Sequence, residues 1–376
     1  MILLENGPHG LPALFLAPLA TIRADSAAEV DAALEALDRA RAAGHWLAGF
    51  ASYELGYALE PRLAPLMPAD RPMPLLAFGV YGNPEPADEL LARAASGATG
   101  ATLGPARAGW SAAEHGAALA RILAYIASGD IYQANLTMQM QADATGSALG
   151  LYGALRTRQP VAHGAYVAFS GLPTILSRSP ELFFATDVDG RIETRPMKGT
   201  APRASNPAHD AALRIGLQQS LKDRAENLMI VDLLRNDISR VCRPGTVRVP
   251  ELYAIESYAT VHQMVSHVTG QLQPGTPPSA LFRALFPCGS ITGAPKIRAM
   301  EIIRELEPDP RGVYCGAIGW LAPDGSSSFN VAIRTLTLDG DIARFGVGGG
   351  IVADSTAAGE YEEALWKARF ASLTPG

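Results

Sequence analysis

The 376-residue chain is poor in cysteine, in charge of either sign and in long apolar runs. Its three cysteines, Cys242, Cys288 and Cys315, form no CxxC pair, and an odd number of scattered thiols argues against a disulfide framework or a zinc site. They read as buried thiols, and nothing in the sequence supplies a base for Cys288 in "FPCGSITG". Charged residues make up 18%, with 31 Lys and Arg against 37 Asp and Glu, a formal net charge of −6. That balance speaks against a polyanionic partner such as nucleic acid. The opening "MILLENGPHGLPALFLAPLA" has no basic start and is broken by Gly and Pro, so it fits neither a signal peptide nor a spanning helix. These absences predict a cytoplasmic protein with no membrane segment.

What is present is a globular composition, 48% hydrophobic, in a chain long enough for one large domain or two ordinary ones. There is no internal repeat. Residues 95 to 110, "AASGATGATLGPARAG", are small, Gly-rich and aperiodic, and predict a loop or linker. The sequence thus divides into residues 1–110, expected to complete the fold or to regulate it, and residues 111–376. The first part predicts a helix near 26 to 43 and a strand-like "HWLAGFASYEL", with no recognisable site. In the second, Ser111 and Glu114 stand in capping-box spacing ahead of an apolar stripe. Strands are predicted at 164 to 170, 181 to 186 and 191 to 195, then one long helix from about 208 to 240. From 312 onward the runs "GAIGWLA", "FNVAIRTLTL" and "IARFGVG", separated by "PDGSS" and "DGD", read as a meander, followed by a helix capped by Asp354 or Ser355. Hairpin-joined strands with helices gathered elsewhere indicate an α+β fold.

Three groups of residues could carry chemistry. Pairing about the turn "DVDG" sets Glu181 opposite Pro196 and Lys198 diagonal to Glu181, roughly 7 to 8 Å apart if the ladder continues. An acid facing an amine suits proton donation combined with amine chemistry, provided burial leaves the lysine neutral. A solvated lysine just past a strand fits the same pattern. Glu226 shares a helical face with Met229, Ile230 and Leu233, and Glu363 with Trp366, Lys367 and Phe370. Two inward carboxylates would make a sparse oxygen site of the kind Mg²⁺ takes; ion pairs Glu226–Lys222 and Glu363–Lys367 are the plainer alternative. Finally, the "DGD" turn brings Arg334 nearly opposite Gly346 and close to Gly348, Gly349 and Gly350, a cradle for a carboxylate. "GSITGAPK" lacks the order of a phosphate loop.

The series "SRSPELFF", "TRPMKGTAPR", "KDRAENLMIVDLLRNDISRV", "TVHQMVSHVTG", "LFPCGSITGAPKIRAMEII", "GAIGW", "FNVAIRT" and "FGVGGGIVADSTAAGEYEEALWKAR" resembles the motifs of the chorismate-utilising enzymes, in order over residues 111 to 373. That family includes anthranilate synthase component I, the aminodeoxychorismate synthases, and the isochorismate and salicylate synthases. The resemblance implies an anthranilate synthase component I-like fold, two packed, largely antiparallel β-sheets flanked by helices. It implies Glu181 as general acid for the departing 4-hydroxyl, and Glu226 and Glu363, with Glu360 beside them, as Mg²⁺ ligands. Arg334 and Gly348 to Gly350 would bind carboxylate, with Tyr314, Thr292, Thr200, Gln133 and Lys367 as pocket neighbours. His262 would line the same pocket, although by itself it reads as a satisfied core residue.

Anthranilate synthases have alanine in "PIAGT" where this chain has Lys198 in "PMKGT"; the aminodeoxychorismate branch has lysine in "PIKGT". The resemblance therefore implies that Lys198 attacks C2 of chorismate and that ammonia then adds at C4. Isochorismate and salicylate synthases need a basic lysine where Gln133 stands, and Gln cannot take a proton. No glutamine-hydrolysing motif is present, so ammonia is expected from a separate glutamine amidotransferase subunit.

Overall fold

A computed structural model describes residues 1–258 and 261–373. Among them, eleven strands form one sheet and ten another, with antiparallel pairings throughout both. The expected α+β architecture, two packed antiparallel sheets with helices outside, is what the chain adopts. None of the described helices is long and apolar enough to cross a membrane.

The strand side chains explain the layering. Along Ile2–Leu4, Ile2 and Leu4 enter the core between the sheets while Leu3 packs under the helices outside. In Trp46–Ala51, Ala48 and Phe50 point inward and Leu47 and Ala51 outward, the period of two of a pleated strand. Strands covered on both faces need apolar residues at successive positions, which is why "MILL" and "WLAGFA" read as continuous runs. Each fully buried ring, such as Phe50 or Phe329, contributes about 2 to 3 kcal/mol of transfer free energy. The first 110 residues supply strands to both sheets.

Local departures from the sequence expectations have local causes. The stretch 95 to 110 is not a free linker: it holds the end of the helix Asp88–Gly97 and the short strands Thr102–Leu103 and Arg107–Ala108, both paired with Gln133–Thr145. The helix expected from 208 to 240 is two, Pro207–Gln219 and Leu221–Ser239. Ser220 leaves helical geometry with ψ 113° and caps the second by accepting the Asp223 N–H at 3.2 Å. Neither Asp354 nor Ser355 caps the last helix, Ala357–Ala368; the Thr356 hydroxyl does, accepting from Gly359 N–H. The Ser111–Glu114 capping box forms as expected.

The departure that matters most concerns "FNVAIRTLTL". Instead of one strand it is two, Ser327–Val331 in one sheet and Thr335–Asp339 in the other, the chain crossing between them at Ala332–Arg334. A second crossing lies beside it. Thr174–Ser179 belongs to one sheet and Leu182–Thr186 to the other, with Pro180 and Glu181 between. The Val331 N–H donates to the Glu181 carbonyl at 3.0 Å, and the Ser179 hydroxyl to the Val331 carbonyl at 2.6 Å, so the two crossings are tied together.

Candidate active site

Where the chain changes sheets, the sheets part. The strand Ile342–Ile351 pairs with Gln133–Thr145 along its whole length, but with Thr335–Asp339 only as far as Phe345. Beyond that point its other edge faces the gap left by the crossing. A cavity of about 710 Å³ fills the gap, a size suited to a small organic substrate. Gly346, Val347, Gly348 and Gly350 form one wall; Lys222, Asp223 and Glu226 face them from the helix Leu221–Ser239, and Glu360, Glu363, Trp366 and Lys367 from the helix Ala357–Ala368.

Lys198 reaches this cavity by a different route from the one the hairpin suggested. The ladder between Leu182–Thr186 and Arg191–Thr194 is confined to Ala185↔Glu193 and Thr186↔Ile192, one residue out of the expected register. Met197–Pro202 leaves it and pairs with Val261–Gln271 at the edge of the sheet. Gly199 follows the lysine with φ 93° and its backbone lies against Asp223, a position where any Cβ would be strained and crowded. The glycine in "MKGT" thus lets the strand bend and turn Lys198 into the cavity.

Lys198 and Glu181 both line the cavity and interact through their charges. Glu181 is buried, and loss of solvation raises its pKa, partly offset by the Ser290 hydroxyl, Lys198 and the Met197 N–H. Its Oε1 has no hydrogen-bond partner among the described residues. Lys198 is half-buried and lines the cavity; burial and then the nearby Lys367 lower its pKa, while Glu181, Glu226 and Glu363 pull the other way. The two opposite shifts narrow the gap between acid and amine, which enlarges the fraction of molecules holding a neutral amine beside a protonated carboxyl. Arg334 sits at the other crossing with φ 49°, in the sparsely populated left-handed region, and also lines the cavity. The ladder ends at Leu336↔Phe345, so Arg334 lies just beyond it, where Gly346 and Val347 also line the cavity.

The carboxylates divide. Glu363 pairs with Lys367 at 2.7 Å, and Lys367 also donates to the Gly348 carbonyl at 2.9 Å. Burial pushes Glu363 up, but Lys367 outweighs it and leaves the pKa below its ordinary value. Glu360 accepts from the Ser355 hydroxyl at 2.6 Å. Glu226 makes no ion pair among the described residues, because Lys222 pairs instead with Asp354 at 3.1 Å; burial raises its pKa. No group of three or more His, Cys, Asp or Glu among the described residues is close enough to hold a metal ion by itself. An unpaired, desolvated carboxylate facing others across a cavity fits a hard cation that takes its remaining oxygens from water and substrate.

Thr200 and Tyr314 line the cavity as expected. Four others do not. His262 alternates with Val261 and Gln263, which face the cavity, so its ring points to the opposite side, where it bonds Asp210 at 3.1 Å and Ser257 at 2.8 Å. Thr292 turns its hydroxyl to the Cys288 and Gly289 carbonyls, and Ser290 and Ile291 take its place in the wall. Gln133 lies behind Gly350, where a Cβ would come within 2.4 Å of its amide nitrogen. Gly349 points toward Glu360 and Lys367 and stays out of the wall. Asn135, Ser290 and Lys222 are cavity residues for which no place in the pocket was expected, although Lys222 and Ser290 stand within the quoted motifs. All three cysteines are buried, and burial pushes the Cys288 thiol up to about 12.

Residues 2–372 match the family model described as chorismate binding enzyme. Aminodeoxychorismate synthase component 1 of Klebsiella aerogenes is 47% identical over 261 residues, covering 69% of this chain and 57% of that protein. Aminodeoxychorismate synthase of Streptomyces pristinaespiralis is 46% identical over 244 residues, 65% of this chain and 34% of that protein. The matches therefore span at most 57% of these two relatives. Among solved structures, anthranilate synthase component I from Streptococcus pneumoniae TIGR4 superposes with a TM-score of 0.80 at 26% identity, covering 95% of this chain and 91% of that one.

Proposed function

The chain belongs to the chorismate-binding enzymes, and on that premise we propose that it converts chorismate and ammonia to 4-amino-4-deoxychorismate. The observation that carries this reading is the desolvated Lys198 amine in the same cavity as the buried Glu181 carboxyl. The neutral amine of Lys198 attacks C2, the two ring double bonds shift, and the 4-hydroxyl leaves as water with the proton that Glu181 donates. Ammonia adds at C4, the double bonds return, and Lys198 departs from C2. The net change is chorismate plus ammonia giving product plus water. Arg334, beside the glycine strand, offers a planar guanidinium to a substrate carboxylate.

Glu226 and Glu363, with Glu360 adjoining, would hold Mg²⁺, which when bound supplies a fixed positive charge for the ring carboxylate. Ammonia would come from a glutamine amidotransferase subunit acting in the cytoplasm; the component 1 naming of the K. aerogenes relative supports a partnered enzyme. Amination at C2 to give anthranilate is the second reading, favoured by the structural neighbour and disfavoured by a lysine at position 198. A subunit that binds chorismate without turnover would have no use for the Lys198–Glu181 pair. Incubation with chorismate, ammonium and Mg²⁺, followed by mass spectrometry of small molecules and protein, tests all three. A 4-amino product with a transient adduct on Lys198 is expected; anthranilate, or binding without product, would overturn the reading.

A further inference from the structure

The Arg311 side chain is buried behind the candidate active-site cavity and is not part of its wall. Its Nη1 donates to the Ile291 carbonyl at 2.9 Å and its Nη2 to the Asn135 carbonyl at 2.6 Å. Its Nε and Nη2 also bond the Glu307 carboxylate at 2.8 and 2.7 Å. Glu307 in turn accepts from the N–H and hydroxyl of Thr137, at 2.8 and 3.0 Å. The Tyr53 ring lies 4.4 Å below the guanidinium, and the Arg311 and Gly312 N–H groups bond Glu54. Ile291 and Asn135 belong to the cavity wall, as do Ser290, next in chain to Ile291, and Tyr314, three residues after Arg311.

We propose that Arg311 is a positioning residue for the reaction: its guanidinium locks the cavity floor by holding the Asn135 strand and the Ser290–Ile291 turn at one spacing beneath Glu181. Two carbonyls from different elements and one carboxylate converge on a single planar fork. Only a guanidinium has donors in the directions they require. Lysine at this position keeps the charge and cannot reach all three partners. The floor then loosens by fractions of an ångström, enough to misplace an acid relative to its substrate.

The control is a second buried arginine. Arg178 is fully buried, with its guanidinium held by Glu5, by the Tyr152 hydroxyl at 3.2 Å and by the Gln159 carbonyl at 2.9 Å. None of those partners lines the catalytic cavity. Arg311→Lys and Arg178→Lys both lower the melting temperature. Only Arg311→Lys lowers kcat, by about 30- to 100-fold, with KM for chorismate changing less than about threefold. Glu307→Gln, which keeps the arginine and weakens its anchor, gives an intermediate loss and serves if Arg311→Lys does not fold.

This inference rests on the proposed reaction, so a second readout needs no turnover. The infrared carboxyl band of Glu181, assigned by its loss in Glu181→Gln, titrates at higher pH in Arg311→Lys or Glu307→Gln, because Ser290, whose hydroxyl restrains the Glu181 pKa, sits in the turn that Arg311 holds. It is unmoved in Arg178→Lys. Wild-type protein that forms no 4-amino product counts against the reaction alone. An unmoved Glu181 titration in Arg311→Lys, kcat within twofold of wild type, or equal kcat losses in the two arginine variants overturns the positioning role.

Discussion

Two cavities lie back to back in this molecule, sharing Tyr314 and Gly346, and their difference is instructive. A Cβ on Gly346 would come within 2.0 Å of the Tyr314 ring, so the partition is as thin as a glycine and one aromatic ring allow. The second cavity, about 440 Å³, is also ringed by charge. There, however, Arg107 pairs with Asp143 through two bonds of 2.8 Å, Arg311 is held by Glu307, and Gln139 donates to the Pro310 carbonyl. In the candidate active-site cavity, among the described residues, an oxygen of Glu181 lacks a partner, Glu226 has no ion pair, and Lys198 is desolvated among three carboxylates. Desolvated polar groups left uncommitted, and not a hollow of suitable size, distinguish a reaction site.

The comparison breaks most sharply at Lys198. Lys198→Ala should lower formation of the 4-amino product by at least about 10³-fold, abolish the protein adduct, and redirect residual turnover toward C2. Thr337→Val in the second cavity should leave the rate within about twofold. Equal responses to the two substitutions would erase the distinction. Glu181→Gln should cost about 10²- to 10⁴-fold and change the pH profile, measured at constant free ammonia. On the proposed reaction, which needs a neutral Lys198 and a protonated Glu181, the wild-type profile should be a bell; the glutamine variant should retain the rise with pH but lack the fall at high pH. Glu226→Gln should raise the Mg²⁺ concentration for half-maximal rate by about tenfold or more, without altering the melting temperature in EDTA. Smallest of all, Lys198→Met should raise that temperature by about 1 to 3 °C, because it relieves a desolvated amine.

Much of the site was legible because its residues sit inside long, distinctive motifs: Glu181, Lys198, Glu226, Arg334, Glu360 and Glu363 all reach one cavity. What sequence periodicity missed was how they get there. A period-two pattern runs straight through "FNVAIRTLTL", since apolar alternation is the same in either sheet, and nothing local marks Ala332–Arg334 as a crossing. The register error of one residue at the "DVDG" hairpin has the same origin: the pattern fixes a pairing partner only when the ladder continues, and here it does not. His262 and Gln133 share strands with cavity residues but face away or lie behind the wall, and a motif carries no information about the side of a strand until its partners are known. The break at Ser220 was readable in principle, as a serine three residues ahead of Asp223.

The acid and the guanidinium hang from two crossings stitched to one another in the interior, whereas the amine rides on a border strand, Met197–Pro202, with a single neighbouring ladder. Their tolerance to change is correspondingly unequal. On the proposed reaction, replacing the border residue would alter which ring carbon is engaged while the central frame stays fixed, so a scaffold built this way could trade one product for another through its periphery.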